Sequence, residues 1–199
     1  EYLASTIPGI LESLDMPYTG AGILGETLAY NKFLVKDLLQ SHGIPVPRSQ
    51  LFSSPALLLD MKMRFPLISK LNEIHGAVEI TKDAVSDNEK HLRERMKSLI
   101  NTYKQPVLVE EFIAGREITA IVLEGLNRKV YLAEKIFKEE NNPNQIASFE
   151  YQWTEEAHYQ KFEDPYLADL VKRAFDVLRM SDYGKFDIRM DQSNRYYFI

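Results

Sequence analysis

Two strand-like runs joined through a glycine turn, at 107–109 and 117–123, constrain this chain more than any other feature. The first is short and wholly apolar, with β-branched Val107 and Val109, and the second is β-rich and nearly continuous in apolar residues. Ala114, Gly115 and Arg116 supply the turn, where Gly115 is free to take positive φ, and the two runs are expected to form a hairpin. Three carboxylates, Glu110, Glu111 and Glu117, flank the turn. Acids are depleted in strands, so their placement needs a reason. Two readings fit. They are solvated residues at strand ends, as charged side chains mostly are. Or they line a ligand cleft, accepting hydrogen bonds from an amine or from sugar hydroxyls. The stretch alone does not choose between them.

The remaining bounds are broad. A chain of 199 residues holds one large domain or two small ones, and 45% apolar with 11% aromatic residues is enough to bury a core. A formal net charge of −5 argues against nucleic acid or an anionic membrane as the main partner. With no cysteine, disulfides, thiolate zinc sites and a cysteine nucleophile are excluded, in agreement with a reducing cytoplasm. No apolar run approaches membrane-spanning length, and Glu1 to Ala4 do not read as a signal peptide.

In chain order, residues 7–14 suggest a short helix. Residues 20–25 match G-x-G-x-x-G literally, but no buried strand precedes them, so the match is read as chance. Residues 24–40 are expected to form one helix, with Leu24, Leu28, Val35, Leu38 and Leu39 largely on one side and Gly43 as its stop. Lys32 and Lys36 share a face of it, which reads most simply as solvated. A second helix is expected over 54–64, with Pro55 in its first turn. Residues 65–70 then form a strand ending in Lys70, a lysine placed to enter a cleft as a phosphate-binding point charge. A short strand is expected at 79–81, a charged amphipathic helix at 88–102 and a strand at 129–137. Residues 138–147 read as a polar loop and 148–153 as extended. A helix over 164–180 and two strands, 184–190 and 195–199, close the chain, the strands joined as a hairpin through 191–194. Ending inside a strand suggests a fragment of a longer protein.

Several stretches, in order, resemble the D-alanine–D-alanine ligases, which have the ATP-grasp fold. They are Ile7-Pro8-Gly9, Pro17-Tyr18-Thr19-Gly20, Asn31-Lys32-Phe33-Leu34-Val35-Lys36, Gly43-Ile44-Pro45-Val46-Pro47, Phe65-Pro66-Leu67-Ile68-Ser69-Lys70, the run from Val107 to Glu117, and Gly184-Lys185-Phe186-Asp187-Ile188-Arg189-Met190-Asp191. The resemblance implies an α+β ATP-grasp fold of two subdomains with a nucleotide cleft between them. It divides the chain into the tail of a preceding domain with a linker helix (1–35), a small subdomain (36–106) and a truncated C-terminal subdomain (107–199). It implies ATP and magnesium as cofactors and small amino acids as substrates, with no nucleic acid or membrane partner, in the cytoplasm. It also allows a homodimer for the full-length protein. Such enzymes phosphorylate a carboxylate with ATP and let an amine attack the acyl phosphate, in peptidoglycan precursor synthesis or a related ligation. Most of the catalysis is positioning and charge stabilisation.

Carried across by residue, Lys36 and Lys70 match phosphate-contacting lysines, Glu110 the acid facing the adenine amine, and Glu111, Phe112 and Ile113 the segment bordering adenine. Glu117 matches the acid on the ribose hydroxyls, Asp187 a magnesium ligand, and Lys185 a catalytic arginine. The chain also departs from the pattern. The loop after Lys70, from Asn72 to Glu79, has one glycine and no serine, and Gln152-Trp153 stands where a Lys-Tyr pair is expected. The resemblance therefore leaves two function classes: a carboxylate–amine ligase of altered specificity, inactive as this fragment alone, or a non-catalytic nucleotide-binding relative.

Overall fold

A computed structural model describes residues 3–137 and 157–199. Helix α1 (Leu3–Ser13) leads through the loop at 20–22 into α2 (Ile23–Ala29) and α3 (Lys32–Ser41). A small antiparallel sheet follows, built from β1 (Ser49–Phe52), β2 (Leu67–Leu71), β3 (Val85–Ser86) and, after helix α4 (Glu89–Tyr103), β4 (Val107–Glu111), in the order β1-β4-β2-β3. The second sheet contains β5 (Arg116–Leu123), β6 (Lys129–Phe137), β7 (Ala157–Phe162), β8 (Tyr183–Met190) and β9 (Tyr196–Phe198), in the order β7-β6-β5-β8-β9. Helix α5 (Pro165–Val177), N-capped by Asp164 with Pro165 in its first turn, packs on this second sheet.

The strand period of two gives each sheet one core face and one other face. In the small sheet Leu67, Leu71, Val107 and Val109 pack with Leu92, Met96 and Leu99 of α4. Ile68, Lys70 and Glu110 alternate with them. In the large sheet Ile118, Ala120, Val122, Ile188 and Met190 pack with Leu167, Val171, Ala174 and Phe175 of α5. Glu117, Thr119, Lys185, Asp187 and Arg189 take the alternate positions. Helix α3 adds Leu39 to the large core and buries Lys36, three residues earlier, on the same side of the helix.

Several expectations need correction. The runs at 107–109 and 117–123 are both strands, but not a hairpin. β4 pairs with β1 and β2, while β5 pairs with β6 and β8 in the other sheet. The short connection swings the chain across the end of β8. Gly115, at φ 146°, lies so close that a Cβ would stand 2.1 Å from the Met190 carbonyl oxygen. The single helix expected over 24–40 is two. Asn31 leaves helical geometry and its side-chain oxygen accepts from the Leu34 amide at 3.1 Å, starting a new helix.

Residues 54–64 are turns rather than a helix, because side chains take up their backbone groups. Gln50 donates to Leu58 O and accepts from the Asp60 amide, and Arg93 donates to Pro55 O and Leu57 O. Residues 79–81 are not a strand, since Glu79 sits at φ 62°. β1, β3 and β7 are additional strands. The readings at 138–147 and 148–153, with Gln152 and Trp153, lie outside the described residues. The loop at 20–25 follows a helix, not a strand, and its Gly20 and Gly22 amides donate to Asp182 and Ser181. Among the described residues no helix is long and apolar enough to cross a membrane.

Candidate functional site

A cavity of about 760 Å³ lies where the non-core faces of the two sheets meet α3. Its lining includes Lys36, Lys70, Glu110, Glu111, Phe112, Ile113, Glu117, Lys185 and Asp187, so the structure gathers these sequence-predicted site residues into one place. The volume is that of a small-molecule site.

One end is a cluster of lysines on one acid. Glu110 is 1% exposed. Its Oε1 lies 2.9 Å from Lys36 Nζ, an ion pair whose geometry is not that of a hydrogen bond, and its Oε2 accepts from Lys70 Nζ at 2.7 Å. Burial alone would raise the Glu110 pKa, but Lys36 and then Lys70 outweigh it and bring it down to about 2. Lys36, 4% exposed, also donates to Phe198 O at 3.0 Å, so it ties α3 to both sheets. Burial lowers its pKa to about 8, with Glu110 opposing that shift and Lys70 adding to it.

Lys32 completes the cluster, and sequence reasoning missed it by reading its helix face as solvated. It lines the cavity and donates to Ile74 O in the loop after β2. Burial, with help from Lys70, brings its pKa to about 8. Three lysines against one carboxylate leave this end attractive to an anion.

The loop bounding this end is fastened by residues the sequence reading left in the background. Asn72, wholly buried, accepts from the Phe33 amide at 2.9 Å and donates to Asn31 Oδ1 at 3.1 Å, joining the end of β2 to the start of α3. His75 stacks edge-on against Tyr30 and lies 3.7 Å from Glu26. Its pKa is lowered by burial, against the pull of Glu26.

The other end carries Glu117, 6% exposed, with Arg189 Nη2 donating to its Oε2 at 3.4 Å and Lys135 Nζ 4.0 Å from its Oε1. Burial raises its pKa, opposed by Arg189 and then Lys135. On β8 Lys185 pairs with Asp187 at 2.8 Å, and Thr119 of β5 donates to the same carboxylate at 3.3 Å. Burial lowers the Lys185 pKa, but Asp187 more than reverses this, so it stands above the ordinary lysine value. Glu111 turns outward from this chemistry and accepts from the Arg64 amide at 2.9 Å.

No group of three or more His, Asp or Glu among the described residues is placed to hold a metal ion. Magnesium takes near-octahedral oxygen ligation. Asp187 offers one carboxylate, already engaged by an ammonium group, so the described residues do not by themselves fit a magnesium site.

The family described as D-ala D-ala ligase C-terminus matches residues 38–199. The chain belongs to this family. The D-alanine–D-alanine ligase of Pseudomonas entomophila is 29% identical over 197 residues, covering 98% of this chain and 60% of that protein. The D-alanine–D-alanine ligase of Desulforamulus reducens is 36% identical over 131 residues, 59% of this chain and 40% of that protein. The solved structure of the Bacillus anthracis D-alanine–D-alanine ligase complexed with ATP superposes with a TM-score of 0.75 at 21% identity, over 98% of this chain and 61% of that one. The fold is therefore α+β ATP-grasp, as the resemblance implied. The chain spans about 60% of the length of most of the relatives it matches.

Proposed function

We propose that the whole protein is an ATP-dependent carboxylate–amine ligase that binds ATP in the cavity between the two sheets. One observation carries this reading. A single cavity has a cluster of lysines at one end and a buried acid with spare acceptor capacity at the other, which suits a polyphosphate and a ribose respectively. The bound ATP of the Bacillus anthracis relative, on the same fold, supports it.

In this reading Lys70 and Lys32 hold the phosphates. Lys36, paired with Glu110 and donating to Phe198 O, instead fixes Glu110 and through it Lys70. Phe112 and Ile113 border the base, and Glu117 accepts from the ribose hydroxyls. A substrate carboxylate oxygen attacks the γ-phosphorus, the bond to the β-phosphate oxygen breaks, and ADP leaves. An amine then attacks the acyl carbon, inorganic phosphate departs, and the amine proton is lost.

Lysines in a partly dry cleft offset the charge on the transferring group, and each such contact contributes about 10²–10³ in rate. Lys185 stands at the large-sheet wall with the same role, as a point charge rather than a bidentate fork. Magnesium, when bound, would add further charge neutralisation at the phosphates, with Asp187 as its one described carboxylate. The amide product suits peptidoglycan precursor synthesis or a related ligation in the cytoplasm. The loop from Asn72 to Glu79, with no serine hydroxyl to offer a substrate, suits a substrate other than D-alanine.

The test is to incubate the full-length protein with ATP, magnesium and hydroxylamine, offering D-alanine and a panel of amino and hydroxy acids. An acyl phosphate is trapped as a hydroxamate, and Lys70→Ala is expected to abolish it. ATP binding with no hydroxamate from any acid would leave a nucleotide-binding relative without ligase chemistry.

A further inference from the structure

We propose that Arg189 is a positioning residue for the nucleoside end of the cavity, holding Glu117 and the Phe112 ring so that the site reads the sugar hydroxyls of its nucleotide. The inference rests on the nucleotide reading above and adds a role to a residue that reading does not use. Arg189 is 3% exposed and, among the described residues, touches three separate parts of the site. Its Nη2 donates to Glu117 Oε2 at 3.4 Å, its Nη1 donates to Gly115 O at 3.2 Å, and its guanidinium carbon stands 5.2 Å from the centre of the Phe112 ring. Those groups lie on β5, in the turn before it and just beyond β4, so one side chain spans the passage between the two sheets.

The strand register explains how it gets there. β8 runs antiparallel to β5 with Arg189 directly opposite Glu117. The period of two sets Lys185, Asp187 and Arg189 at alternate positions of one strand. The backbone of β8 braces the same turn, because the Met190 carbonyl occupies the space a side chain on Gly115 would need. A planar guanidinium holds its donors in a fixed fork while its face meets a ring, a geometry that an ammonium does not share.

The geometry divides the two oxygens of Glu117. Oε2 is held by Arg189. Oε1 has Lys135 Nζ at 4.0 Å, beyond hydrogen-bonding distance, and is the oxygen left to accept from a ligand. Without Arg189 the carboxylate and the ring beside the base lose their common anchor. The lysine end, built on α3, β2 and β4, keeps its own partners. Loss of Arg189 therefore removes sugar selectivity while leaving phosphate binding in place.

The experiment is calorimetric titration of the full-length protein with ATP and with 2′,3′-dideoxy-ATP, for the natural protein, Arg189→Met, Arg189→Lys and Glu117→Gln. Hydrogen bonds to a charged group contribute enough for the natural protein to prefer ATP by about tenfold or more. In Arg189→Met that ratio collapses toward the value in Glu117→Gln, and the double variant loses little further. Arg189→Lys keeps the charge without the fork, so its ratio also falls. A wild-type ratio in folded Arg189→Met overturns the inference. Where Arg189→Met does not fold, a wild-type ratio in Arg189→Lys overturns it equally. A natural protein that binds no ATP, or binds both nucleotides alike, refutes instead the nucleotide reading on which the inference stands.

Discussion

Glu110 and Glu117 lie on consecutive strands, face one cavity and are both buried, yet their pKa values move in opposite directions. Glu110 meets two ammonium groups at 2.9 and 2.7 Å, and their charge overcomes the cost of burial. Glu117 meets a guanidinium at 3.4 Å and an ammonium at 4.0 Å, and burial wins. The difference separates two jobs within one site. Glu110 is an ionised strut whose charge is held by the chain's own lysines. Glu117 is an acid with acceptor capacity left over, which we propose a ligand takes up.

Removing the strut is expected to have the largest effect. Glu110→Ala leaves Lys36 buried with an uncompensated charge, and losing one partner of a buried pair costs about 3–5 kcal/mol. Combining it with Lys36→Met should recover much of that. Chemical denaturation measures both variants, and a loss for Glu110→Ala no larger than that of an exposed ion pair, about 1 kcal/mol, would erase the distinction between the two acids.

Gly115→Ala comes next and disturbs only the Glu117 end. Forcing a side chain to φ 146° should cost about 1–3 kcal/mol in backbone strain, and the clash with the Met190 carbonyl adds to it. It should also weaken binding of ATP while leaving binding of inorganic triphosphate unchanged. Equal weakening of both would mean that the two ends are not separable.

Dependence on pH sharpens the contrast. The Glu110 pKa in the fold, about 2, lies below its ordinary 4.5, so its contribution is full above 4.5 and is lost as pH falls toward 2. Glu117 is raised, so its contribution has the opposite sign and is lost as pH rises through its folded value. Glu110→Gln should therefore flatten the acid limb of the stability curve, and Glu117→Gln should steepen it. Lys32 and Lys36, lowered from 10.5 to about 8, bind protons more weakly in the fold, so stability should rise between those values as pH increases.

The smallest expected change is the stability of Glu117→Gln at neutral pH, about 1 kcal/mol, because the amide oxygen can still accept from Arg189 and the carboxylate it replaces is more loosely paired than Glu110 and disfavoured by burial. A loss comparable to Glu110→Ala would make Glu117 a strut as well.

The sequence already contained most of the elements, but not their partners. Residues 107–109 and 117–123 read as strands from local pattern, and local pattern then suggested pairing them with each other. Their true neighbours, β1 and β2 on one side and β6 and β8 on the other, come from distant segments. Residues 54–64 imitate a helix start with Ser54 and Pro55, while Gln50 and Arg93 claim the backbone groups a helix would need. Charges at strand ends marked Glu110, Glu111, Glu117 and Lys70 as places that need a cause, although the acids kept two readings there, and Asp187 came only from the family resemblance. Lys32 was not legible, since a lysine pair four apart on a helix is usually solvated, and only the sheets closing around α3 bury it. Arg189 was legible in principle. It shares the alternation of Lys185 and Asp187, which marks one face of β8.

The account turns on one claim, that ATP lies between the two sheets with its phosphates at the lysine cluster and its ribose at Glu117. The most direct measurement is a crystal structure of the full-length protein with a non-hydrolysable ATP analogue. The account predicts phosphate oxygens within hydrogen-bonding reach of Lys70 and Lys32 Nζ, a ribose hydroxyl on Glu117 Oε1, and Arg189 still on Oε2. A nucleotide bound outside this cavity, or lying in it with the ribose at Glu110 and the phosphates at Glu117, would contradict it.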